Sequence, residues 1–184
     1  MTEPADDFSS ADIARLLDLL EAELTRRGAA ASIYVVGGAA IALTFETGRR
    51  TKDVDADLTP EDTVLEAAAA VAESEGLPPT WLNSDAKAWI PPHPAPTSSG
   101  TPLATGLRVE IATPQALLAM KLIASRNRDV PDIKLLAEAL GLTQPMALAE
   151  LVRDQYGADQ LEAVHGGFDD MLLWCRTLCE RLWT

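Results

Sequence analysis

Cysteine, histidine and positive charge are all scarce in this chain. Two cysteines in 184 residues cannot build a disulfide framework. Cys175 and Cys179 stand four apart in an apolar helical pattern, which suits a pair of small core fillers better than a redox or metal pair. The two histidines, His93 in a proline-rich stretch and His165 beside glycines, have no Cys or acid neighbours at metal-ligand spacing and are expected at the surface. Fifteen Lys and Arg against 28 Asp and Glu leave a net charge of −13, which repels phosphates and excludes broad, sequence-independent binding to nucleic acid. No window approaches the roughly 18 to 20 consecutive apolar residues of a membrane span. The start, MTEPADDFSS, lacks the basic and then apolar pattern of a secretory signal, so the cytoplasm is the expected location.

What is present is a regular alternation of short strands and amphipathic helices. Serines before Ile13, Leu16, Leu17, Leu20 and Leu24, and a terminating Gly28, predict a first helix. SIYVVGG reads as a buried strand stopped by glycines, AAIALTFETG as a helix, and TKDVDADLTP as an alternating strand ending at Pro60. EDTVLEAAAAVAESEG is a helix with an acidic first turn. PTWLNSDAKAWI is expected to form one or two strands, residues 91–106 a proline-rich loop or insertion, and LRVEIAT a further strand. From Thr113 onward the pattern is helical: TPQALLAMKLIASR with its Thr cap and Pro at the first position, RDVPDIKLLAEALG, QPMALAELVRDQYG and GFDDMLLWCRTLCERLW. The expected fold is α+β, a small mixed sheet covered by helices (1–112), with a helical C-terminal part (113–184) packed on it as one compact unit.

Three features carry chemistry. Asp53, Asp55 and Asp57 alternate, so in a strand all three point to one face, where they repel one another unless solvated or neutralised by a cation. Mg²⁺ is the cation that takes carboxylate oxygens and keeps positions open for phosphates. Glu110, in the later strand, could complete the set if its strand neighbours the first. Gly37 and Gly38, between strand and helix, leave backbone N–H groups and a helix dipole open to an anion, although such a pair alone is an ordinary tight turn. Lys121 puts a charge among the leucines of its helix, where its stem could equally lie on the core with the ammonium in water. Basic residues gather at Arg49, Arg50 and Lys52, and again at Lys121, Arg126 and Arg128.

Gly37-Gly38 followed by Arg49-x-Thr51-x-Asp53-x-Asp55 resembles the signature of the DNA-polymerase-β-type nucleotidyltransferase superfamily, in the minimal form of abortive-infection AbiEii-type toxins and related small bacterial proteins. Lys121, Arg128, Asp129 and Asp132 resemble that group's second motif, and the likeness covers roughly residues 30–140. The resemblance implies the nucleotidyltransferase fold and transfer of a nucleoside monophosphate from an NTP to an acceptor such as tRNA or a protein, with a cognate antitoxin as partner. It implies Mg²⁺, or Mn²⁺ in its stead, on Asp53 and Asp55 with Glu110. The triphosphate would rest on Gly37, Gly38, Arg49, Thr51, Lys121 and Arg128, and Asp129 or Asp132 would assist the acceptor, unless Asp129 only caps the next helix. Two departures stand out: Gly38 replaces a serine found in many members, and the proline-rich segment separates the strands. The alternative is a catalytically silent module of the same fold that binds a nucleotide or a toxin–antitoxin partner. Trp81, Trp89, Trp174 and Trp183 are expected in core or interface packing, with base stacking by Trp81 or Trp89 the alternative.

Overall fold

A computed structural model describes residues 7–45, 48–92 and 105–183, so His93 and most of the proline-rich segment lie outside it. The fold is α+β: eight α-helices and a four-stranded mixed sheet among these residues. The chain divides into two compact units, one formed by the described parts of Met1–Ala88 and Pro96–Ala112, the other by those of Trp89–Ala95 and Thr113–Thr184.

In the first unit, α1 (Ser10–Arg26) opens on a complete capping box: Ser9 Oγ accepts from the Asp12 amide while the Asp12 carboxylate accepts from the Ser9 amide. Then follow β1 (Ala30–Val35), α2 (Gly37–Thr44), β2 (Val54–Thr59), α3 (Glu61–Glu75), β3 (Leu82–Asn83) and β4 (Gly106–Ile111). The sheet order is β3-β2-β1-β4, with β2 antiparallel to β1 and the other pairs parallel. One face carries Ala31, Ile33, Val35, Val54, Ala56, Leu58 and Leu107, all buried, and α1 and α3 pack on the sheet with their own buried stripes. Trp81 completes this core, its indole N–H donating to the Ala68 carbonyl at 3.0 Å. The segment expected to form one or two strands holds only the two-residue β3 and a 3₁₀ turn at Lys87–Trp89.

The second unit is wholly helical: α4 (Pro114–Ala124), α5 (Val130–Leu140), α6 (Pro145–Tyr156), α7 (Ala158–His165) and α8 (Phe168–Trp183). Thr113 caps α4 with its hydroxyl on the Ala116 amide, and Gly141 ends α5 in the left-handed conformation. Helix α7, absent from the sequence reading, has only Leu161 fully buried and so shows almost no apolar period. Helices α4 and α6, and α6 and α8, pack against each other; Cys175 and Cys179 are buried on α8, with Cys175 Sγ 3.8 Å from Met171 Sδ. No single helix among the described residues is long and apolar enough to cross a membrane.

Candidate functional site

The second face of the sheet is polar. In β2 the residues alternate between buried Val54, Ala56 and Leu58 and half-buried Asp55 and Asp57. Asp53 lies just before the strand in a bend, a correction to the three-acid strand face that the alternation predicts. The register sets Asn83 beside Asp55, and Tyr34 directly between Asp57 on one side and Glu110 on the other. Glu110 therefore does not neighbour the Asp strand, because β1 intervenes.

The two glycines hold their positions for different reasons. Gly37, the first residue of α2, has φ +64°, a conformation that disfavours any side chain. A Cβ there would also stand 2.9 Å from Asp55 Oδ2, so the carboxylate lies directly against the turn. Asp55 is joined to it again through its carbonyl, which accepts from the Val36 N–H at 2.9 Å. Gly38 is glycine for want of space: a Cβ would come within 2.8 Å of Thr51 Oγ1 and 3.5 Å of an Arg49 guanidinium nitrogen. The serine of the related motif could not be placed here without moving Thr51, whose hydroxyl fills that room. Helix α2 has no side-chain N-cap, so its first amides are left to other acceptors.

The approach to β2 is fixed by a bridge between Thr51 and Phe8, with N–H to O distances of 2.6 and 3.0 Å, and Thr51 Oγ1 donates to the Asp53 carbonyl at 3.2 Å. Arg50 turns toward the N-terminal segment, donating to the Asp7 carbonyl and lying 3.9 Å from Asp12. Asp57 is paired with Lys87 at 3.1 Å, and the same ammonium lies 3.1 Å from Glu61, which also accepts from Ser84 at 2.6 Å. The hydrogen bonds that Lys87 donates to Asp57 and Glu61 hold it above the ordinary lysine range, and those that Glu61 accepts from Ser84 and Lys87 hold it below the ordinary glutamate range.

Within the second unit, Lys121, Asp129 and Asp132 do come together. The Lys121 ammonium sits 2.7 Å from Asp129 and 2.8 Å from Asp132, and their side chains are only 11%, 13% and 4% exposed. Asp129 makes no side-chain cap bond to α5, so its carboxylate serves the lysine. Arg128 is exposed in the 3₁₀ turn Asn127–Asp129. Arg126 stacks over Trp89, 5.8 Å from the ring centroid, and the Trp89 carbonyl accepts from the Tyr156 hydroxyl. His165 is half-buried rather than on the open surface: Nε2 lies 3.1 Å from Ser125 Oγ.

The residues the sequence reading did not single out are Tyr34, Asn83 and Lys87. Alternation in SIYVV places Tyr34 on the face away from Ile33 and Val35, which is the only signal in the chain for it. Asn83 and Lys87 reach the face through pairings between distant segments.

Mg²⁺ is commonly held by one or two carboxylates with phosphate oxygens completing the shell. Asp53 and Asp55 are the carboxylates expected to supply such a set; among the described residues no group of three or more His, Cys, Asp or Glu side chains is placed to hold a metal. No protein-family model matches the chain, and neither a curated protein nor a solved structure matches it.

Proposed function

We propose that this protein binds a nucleoside triphosphate at the start of α2 and transfers its nucleoside monophosphate to an acceptor hydroxyl. The observation that carries the reading is the convergence of Asp55, Thr51 and Arg49 on Gly37 and Gly38, each within about van der Waals contact of where a Cβ would be. Two glycines with no side chain of their own, a helix start without a side-chain N-cap, a hydroxyl and a guanidinium make a cradle for phosphate oxygens, and the carboxylate against the turn suits a hard cation. Asp53 and Asp55 would hold Mg²⁺, which when bound supplies neutralising charge for the triphosphate. Arg49 and the α2 amides orient the phosphates, and positioning is the greater part of catalysis in this class of transfer. RNA remains the acceptor suggested by the family resemblance, and a protein side chain is the other.

The Lys121 cluster enters this reading as a scaffold. Its ammonium already has two carboxylate partners, and a triphosphate could recruit it only by breaking both of these buried ion pairs.

The test is an isothermal titration of the four nucleoside triphosphates, with and without Mg²⁺, on the wild type and on Asp53→Asn. Mg²⁺-dependent binding that the substitution weakens at least tenfold is the expected result. Equal binding by both proteins would remove the metal from Asp53, and no binding by the wild type would overturn the reading.

A further inference from the structure

On the polar face of the sheet, Tyr34 has no part in the proposed reaction. Its hydroxyl oxygen is buried and has no hydrogen-bond partner among the described residues. An unpaired buried hydroxyl forfeits the bonds it would make to water, so its retention calls for a partner that the described residues do not supply. Phenylalanine would fill the same space in β1 without that cost.

The surroundings define what that partner can be. Tyr34 stands in one cross-strand row with Asp57 and Glu110. Burial, and after it the Glu110 charge, pushes its phenol up from the ordinary value, so it is a neutral donor. A phosphate brought into this row would meet the carboxylates of Asp57 and Glu110 on either side and a phenol that cannot neutralise it, and the nearby Lys87 ammonium is already engaged by Asp57 and Glu61. A sugar hydroxyl meets no such repulsion: it accepts from the phenol and donates to a carboxylate, using both of its capacities. Tyr34 precedes Gly37 by three residues, roughly 10 Å along a strand, which is the scale separating a triphosphate on the glycine turn from the ribose behind it.

We propose that Tyr34 recognises the ribose of the bound nucleotide, its hydroxyl donating to a ribose hydroxyl oxygen, so that the site distinguishes ribonucleotides from their deoxy forms. The inference rests on the nucleotide reading above. A site built to bond a hydroxyl discriminates strongly against the analogue that lacks it, because the protein group is then left unpaired.

The experiment compares, in wild type and Tyr34→Phe, the affinities of the tightest-binding ribonucleoside triphosphate and of its 2′-deoxy and 3′-deoxy forms. The wild type is expected to bind the ribonucleotide about tenfold more tightly than one of the deoxy forms, and Tyr34→Phe to bring that ratio near one. The variant should melt at or above the wild-type temperature, since it removes an unpaired hydroxyl and no bond. A wild type that binds all three equally, or a variant that keeps the wild-type ratio, overturns the role of Tyr34 and leaves nucleotide binding standing. A wild type that binds none of them overturns both.

Discussion

The two units handle their acids in opposite ways. In the helical unit, Asp129 and Asp132 close on Lys121, and all three side chains are nearly removed from water. In the sheet unit, Asp57 and its lysine are 40% and 50% exposed, and Asp55 lies half-buried against a glycine turn. A buried charge whose partners are fixed at hydrogen-bond distance is committed to the fold, since exchanging a partner means desolvating an unpaired ion. A carboxylate on a half-exposed sheet face can exchange partners at small cost, which is what a ligand site requires. The difference separates two acid clusters that look alike in sequence.

Breaking the closed cluster should give the largest effect. Lys121→Met leaves two carboxylates buried without their cation, and urea denaturation should show a loss of about 3–5 kcal/mol. If the loss is under about 1 kcal/mol, the lysine is not committed to the fold and the contrast between the units fails.

Gly38→Ser comes next. Its Cβ must displace Thr51, at a cost of about 1–3 kcal/mol, and the double substitution with Thr51→Ala should recover a good part of it. Purely additive effects in that cycle would mean that Thr51 does not fill the space beside Gly38.

Within the helical core, Cys175 gives a smaller, pH-dependent effect. Burial pushes its thiol from 9.0 up to about 12. The folded state therefore holds the proton more tightly than the unfolded chain, and this contribution is complete below about pH 9 and lost as pH rises toward 12. Denaturation midpoints measured at pH 8 and pH 11 should fall further for the wild type than for Cys175→Ala. Equal falls would show the thiol to be accessible.

The smallest change in stability is expected at the open cluster. Asp55→Asn keeps the shape and can still accept a hydrogen bond on a half-buried face, so its unfolding free energy should stay within about 1 kcal/mol of wild type while Mg²⁺-dependent nucleotide binding is lost. A large destabilisation would make Asp55 a structural acid like Asp132.

Much of the fold was legible because its signals are local. Ser9 with Asp12, Thr113 with Pro114, and the glycines at 76 and 141 mark helix ends within four residues of chain, and each does so in the structure. The candidate site was legible only in part. Gly37, Gly38, Thr51 and Asp55 fall within one short motif, and they do meet. Tyr34 was not legible as a site residue, because its row joins β1 to strands centred more than twenty and more than seventy residues later, and only register reveals it. Asp53 looked like a strand residue because the alternation extends one residue before Val54, where β2 begins. Lys121 drew attention as a charge on an apolar face, but the turn that returns Asp129 to it leaves no periodic trace.

The burial of Cys175 and Cys179 has a practical consequence at the bench. Both sulfurs are free and enclosed, so under native conditions the chain offers thiol-directed dyes and spin labels almost no background. A single exposed substitution such as Leu65→Cys on α3 or Leu173→Cys on α8 would then carry the only reactive label. Each label would report on its own unit alone, and the wild-type thiols would add nothing to its signal.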